Sequence, residues 1–137
     1  MIITYHGVDF FKVSFGDTTI AINPISKSSK LKSSTFGSDI TLISLNSPEH
    51  NGADITSRGD KESFLINGPG EYEVSGVFIK GFLSKSNYGG EERINTIYTV
   101  NPSQKRGQDY GRGETRTLNP FRAQDFKSCA YTIPPLA

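Results

Sequence analysis

The chain has 137 residues, of which 34% are hydrophobic and 21% charged, with a formal net charge of +1. That balance predicts one globular domain and excludes a strongly polyanionic or polycationic protein. No run approaches the ~20 apolar residues of a membrane span, and the opening MIITYHGVDF has neither a basic leader nor a signal-like apolar stretch. The expectation is a cytoplasmic protein that does not enter a membrane.

The charge is uneven along the chain. Residues 1–100 hold nine Lys and Arg against eleven Asp and Glu, whereas residues 101–137 hold six against three. Such a break suggests either a basic nucleic-acid-binding tail or two unrelated pieces joined together.

Short β-type runs follow one another from the first residue. MIITYH and FFKVSF are separated by residues 7–9, and TTIAIN follows Gly16-Asp17, a pair that predicts a primed hairpin turn because glycine accepts positive φ. Residues 24–39, PISKSSKLKSSTFGSD, are rich in Ser and Lys without periodicity and predict a long surface loop with at most one helical turn. Lys27, Lys30 and Lys32 in it are read as a solvated cluster in preference to a dock for an acidic partner. ITLISLN then predicts a central strand, apolar on both faces except at Thr41 and Ser44.

That strand runs directly into the polar loop SPEHNG. A strand end that opens into a loop bearing His and carboxylate side chains is a common platform for a metal. This loop offers a single histidine, His50, beside Glu49. Beyond it come SFLIN, the turn NGPG, EYEV, Ser75-Gly76 and VFIKGFL. The Gly and Pro of Asn67–Gly70 predict a sharp reversal, and Ser75-Gly76 predicts another hairpin. NTIYTV, residues 95–100, is the last predicted strand, and no helical periodicity exceeds about two turns.

Other constellations carry less chemistry. Glu71 and Glu73 share one strand face, as a paired-carboxylate mechanism would require, but solvation of a sheet is the plainer reading. Gly68-Pro69-Gly70 lacks the Gly-Lys-Ser/Thr ending and the following helix of a phosphate loop. His6, at a strand end, has no second ligand at useful spacing and is read as a packing residue.

The loop aligns without gaps to the signature loop of the metallo-β-lactamase superfamily, Thr-His-x-His-x-Asp-His, at Ser44, Leu45, Asn46, Ser47, Pro48, Glu49 and His50. The resemblance extends over roughly residues 1–100. MIITYHGVDFFKVSFGDTTIAINP, INGPGEYEVSGVFIKGF and NTIYTV are similar, in order and spacing, to the ascorbate-phosphate-lactonase-like branch of that fold. It implies a mostly β (α+β) architecture, the N-terminal half of an αββα sandwich, with the second sheet and its helices lying in a half that this chain lacks. An uncovered sheet face would then favour a homo-oligomer or poor solubility.

The resemblance also implies a zinc site, whose ligands this sequence has largely replaced. The family's Gly-His is Gly7-Val8, its Asp before proline is Asn23, and the first two loop histidines are Leu45 and Ser47. A further ligand histidine falls near Ser86, beside Lys85. His50 and Glu49 remain as vestigial metal positions, with His50 expected to hydrogen-bond to backbone. Zinc takes about four N, S or O donors, so the expectation is no cofactor and no catalytic residues.

The segment after Val100 has scattered Gly, Pro, Arg and Gln and predicts a disordered tail, residues 101–137, attached to a partial domain at 1–100. Tyr110, Phe121, Phe126 and Tyr131 could serve as stacking groups for RNA, but no Arg-Gly-Gly repeat develops. The tail instead resembles a reading frame running antisense through a transfer-RNA gene, with Thr115-Arg116-Thr117 matching the T-arm complement. The lone Cys129 predicts no internal disulfide. The functional expectation is a non-catalytic, metal-site-depleted protein of binding or structural role. The alternatives are a zinc-dependent hydrolase of small phosphorylated or lactone substrates and a nucleic-acid binder acting through the tail.

Overall fold

A computed structural model describes residues 1–103; the sequence expectations for residues 104–137, Cys129 included, lie outside these residues, while Asn101 and Pro102, expected to begin the tail, are strand residues. The strands are β1 (Ile2–Tyr5), β2 (Phe11–Phe15), β3 (Thr18–Ile22), β4 (Ile40–Leu42), β5 (Phe64–Ile66), β6 (Gly70–Val74), β7 (Val77–Tyr88) and β8 (Glu91–Pro102). A short 3₁₀ turn, Ala53–Ile55, is the helical element among them. The architecture is therefore mostly β, as the patterning predicts.

Local turn chemistry sets the hairpins. Phe15 pairs with Thr18 across Gly16-Asp17, with Gly16 at φ +53°. Val74 pairs with Val77 across Ser75-Gly76, whose φ values of +51° and +74° define a primed turn that matches the twist of the flanking strands. Tyr88 pairs with Glu91 across Gly89-Gly90 in the same way, so β7 and β8 extend well past the predicted runs.

Strands β1 to β5 form one sheet in sequence order, antiparallel across β1-β2-β3 and parallel across β3-β4-β5. Parallel neighbours need long crossovers, which accounts for the segments 23–39 and 43–63. All three β4 residues are buried, in keeping with an apolar run covered on both faces. That strand is shorter than ITLISLN suggests. The chain bends after Leu42, and Leu45 instead bridges Asn95 of β8.

Strands β6, β7 and β8 form a second, antiparallel sheet. This corrects the expectation that the first sheet would lack its partner. Ile20, Ile40, Leu42 and Ile66 of the first sheet pack against Val77 and Ile79 of the second. Burying side chains of this size contributes roughly 1.5–3 kcal/mol each. The Asn67–Gly70 segment likewise does not reverse one strand onto the next; it carries the chain from the first sheet to the second, since β5 and β6 lie in different sheets.

The opposite face of the first sheet is closed by loops. Phe10, Ala21, Ile25 and Ile55 form a second buried cluster, with Phe36 against it. The serine- and lysine-rich loop thus buries Ile25 and partly buries Phe36 while Lys27, Lys30 and Lys32 stay exposed. His6 lies in the same region as packing, its ring 5.1 Å from Phe10 and 5.2 Å from Phe36, with a buried Nε2 that has no hydrogen-bond partner. Among the described residues no helix is long and apolar enough to cross a membrane.

Candidate functional site

The loop after β4 is held by its own backbone before any side chain acts. The N–H groups of His50 and Asn51 both donate to Ser47 O at 2.9 Å, Ser26 N–H donates to Pro48 O at 2.9 Å, and Gly52 N–H donates to Pro24 O at 2.7 Å. Gly52 is required there: a Cβ on it would lie 2.5 Å from the Ile25 carbonyl carbon. The two crossovers of the first sheet therefore lock against each other, and that contact turns His50 inward.

His50 is 2% exposed and uses both ring nitrogens. Its Nε2 is 3.0 Å from Asp9 Oδ2, and its Nδ1 is 2.7 Å from Ser47 Oγ. In the neutral imidazole Nε2 donates to the Asp9 carboxylate, which only accepts, and Nδ1 accepts from the Ser47 hydroxyl. The Tyr88 ring meets the imidazole edge-on at 5.2 Å. The expectation that His50 bonds to backbone is thus corrected: its ring partners are side chains, one of them brought from the β1–β2 turn.

Ser, His and Asp in a hydrogen-bonded row suggest an acyl-transfer triad, but the polarity is reversed. Ser47 is 3% exposed, whereas the Asp9 side chain is 64% exposed. A nucleophile must face substrate and its orienting carboxylate must lie behind the imidazole. Here the hydroxyl is at the closed end.

The other positions that the resemblance implies as ligands make structural contacts. Asn23, 8% exposed with φ +48°, donates its N–H to Leu42 O and accepts the Ser44 N–H on Oδ1, both at 2.8 Å. Asparagine is among the few residues that occupy positive φ readily, so this side chain braces the bend after β4. Val8, also at positive φ (+53°), lies beside Asp9 in the β1–β2 turn. Leu45 and Ser47 are buried, and Glu49 is half-buried and outside the His50 network. Lys85 pairs with Glu92 across the hairpin at 2.7 Å, both side chains being largely exposed, and Ser86 sits opposite Arg93. Glu71 and Glu73 are exposed on β6, with Glu71 paired to Lys80 at 2.8 Å. Among the described residues no group of three or more His, Cys, Asp or Glu comes together as a ligand set.

A cavity of about 430 Å³ opens where the segments after β4 and β5 diverge. Ser44, Asn46, Asn67, Ile94 and Thr96 help line it; none of its lining residues is charged, and neither His50 nor Glu49 reaches it. Nearby, Tyr98 pins the junction of the two sheets by donating its hydroxyl to Ile43 O at 2.8 Å. Burial pushes the Tyr98 phenol up to about 12.

Two packed β-sheets, with a strand-end loop carrying His50 at their shared margin, define a protein built on the metallo-β-lactamase plan. The chain belongs to the β-lactamase superfamily, whose domain model matches residues 2–106. No curated protein and no solved structure matches it. Asp9 escaped sequence reasoning because it is far from the loop in the chain and stands in no ligand motif; a carboxylate in a glycine-containing turn was its sole sequence signal.

Proposed function

We propose that this chain is a non-catalytic member of the superfamily whose former metal loop now works as a structural clamp. The observation that carries this reading is the engagement of both His50 ring nitrogens, Nε2 by Asp9 and Nδ1 by Ser47. An imidazole coordinates through a ring lone pair, and the Nδ1 lone pair here is occupied by a hydroxyl hydrogen in a closed site. Zinc requires about four donors, and the described residues bring no such group around His50 or Glu49. The residues present therefore do not fit a zinc centre, and no hydrolytic step is derived through one.

The clamp has a plain mechanical use. His50 ties the β4 loop to the β1–β2 turn through Asp9 and to the β7–β8 hairpin through Tyr88. One ring thereby links the first sheet to the tip of the second. The test is metal analysis of the full chain after incubation with zinc and exhaustive dialysis, alongside the His50→Ala variant. The expected result is no stoichiometric zinc in either protein. Stoichiometric zinc in the parent, lost in His50→Ala, would overturn the reading in favour of a zinc-dependent hydrolase.

A further inference from the structure

We propose that Asn67 is a site of covalent self-modification, where the Gly68 nitrogen converts the asparagine to aspartate and its β-linked isomer, while the same dipeptide at Asn51-Gly52 is protected. The sequence holds two Asn-Gly pairs, one in the loop after β4 and one in the segment that joins the two sheets. Glycine has no side chain to hinder the approach of its nitrogen to the preceding amide, so both pairs support the reaction in an open chain. The fold separates them.

At Asn51-Gly52 the reacting groups are held. Asn51 N–H donates to Ser47 O at 2.9 Å, and its side-chain Nδ2 donates to Asn46 Oδ1 at 2.8 Å. The nucleophile itself, Gly52 N, has its hydrogen on Pro24 O at 2.7 Å, and Gly52 is buried against the Ile25 backbone. Turning that nitrogen onto the amide carbon would break these bonds inside a closed site.

At Asn67-Gly68 the same groups are open. Asn67 is exposed, and among the described residues neither its side-chain amide nor the Gly68 N–H has a hydrogen-bond partner. A Cβ on Gly68 would meet nothing within 4 Å. The Tyr72 hydroxyl donates to Gly68 O at 3.1 Å, but that carbonyl belongs to the next peptide unit and leaves the reacting one free.

The chemistry balances with water alone. The Gly68 nitrogen gives its proton to solvent and bonds to Asn67 Cγ; the Cγ–Nδ2 bond breaks, and ammonia leaves with a proton returned by solvent. Water then opens the cyclic imide at either carbonyl, so that ammonia is exchanged for water with no change of oxidation state. Asn67 lines the cavity that carries no charged side chain, and the product places a carboxylate there. The β-linked form also adds a methylene to the backbone between β5 and β6, where the chain crosses from one sheet to the other.

Peptide mapping by mass spectrometry of the full chain, held at mildly alkaline pH in heavy-oxygen water with and without urea, tests the assignment. In the folded protein the acid form and its oxygen label should accumulate at position 67, with Asn51 slower by about tenfold or more because it reacts only through the opened fraction. In urea the two sites should convert at similar rates. Asn67→Gln, whose larger ring closes more slowly, should remove the signal at position 67 and leave Asn51 unchanged. Equal rates at the two sites in the folded protein, earlier conversion at Asn51, or label at neither site while the urea-unfolded chain reacts at both would overturn the proposal.

Discussion

His50 and Asp9 meet at 3.0 Å across 41 positions of sequence, and that contact places the loop after β4 against the turn joining the first two strands. The contact is asymmetric, with the imidazole enclosed and the carboxylate in water. His50→Ala should therefore cost more than Asp9→Ala. Removing the ring leaves the Ser47 hydroxyl buried without a partner, an effect of about 2 kcal/mol. Removing the exposed carboxylate should cost under about 1 kcal/mol. Urea unfolding of the three proteins measures both, and equal losses would show that the His50–Asp9 contact, not the enclosure of the ring, anchors the loop.

The β1–β2 turn that presents Asp9 holds Val8 at φ +53°. A β-branched side chain there is strained, typically by 1–3 kcal/mol, while asparagine enters the same region readily. Val8 is 40% exposed, so its packing contributes little to offset this strain. Val8→Asn is expected to stabilise the domain by roughly 1 kcal/mol. Differential scanning calorimetry should record a higher midpoint; a lower one would mean that Val8 packing outweighs its backbone.

Tyr98 gives the domain an alkaline limit. Burial raises its phenol from 10.0 to about 12, so the folded state holds a proton that the unfolded chain releases first. The resulting stabilisation is complete below pH 10, declines as pH rises, and is lost once pH passes the folded value. Burial also raises Tyr72, which adds in the same direction. Tyr98→Phe should lower stability at pH 7 by about 1 kcal/mol through the lost bond to Ile43 O. Its stability should also fall less steeply than the parent's between pH 10 and 12. Denaturant titrations across that range check the slope, and parallel slopes would assign the alkaline transition to other groups.

Much of the fold was legible because it is written in local chemistry. Gly16-Asp17 and Ser75-Gly76 carry the conformational freedom that their turns use, and the run from Ile40 is apolar except at Thr41 and Ser44, in keeping with a β4 buried on both faces. Residues 24–39 are free of regular structure as their composition predicts, yet they bury Ile25 and partly bury Phe36 against the sheet. A serine-rich composition reports on hydration and not on the few apolar anchors within it. Asn67–Gly70 shows the complementary difficulty: glycine and proline announce a change of direction without saying whether the chain pairs back or crosses to another sheet.

The amino-acid order by itself determined the β character and the hairpins at Gly16-Asp17 and Ser75-Gly76, since each depends on residues adjacent in the chain. The tertiary structure decided that Val77 and Ile79 supply a second sheet to the first, and that His50 closes on Asp9 and Ser47. Alternation fixes which face of a strand is apolar but not which surface will cover it, and a carboxylate becomes a partner only when folding brings it within hydrogen-bonding distance.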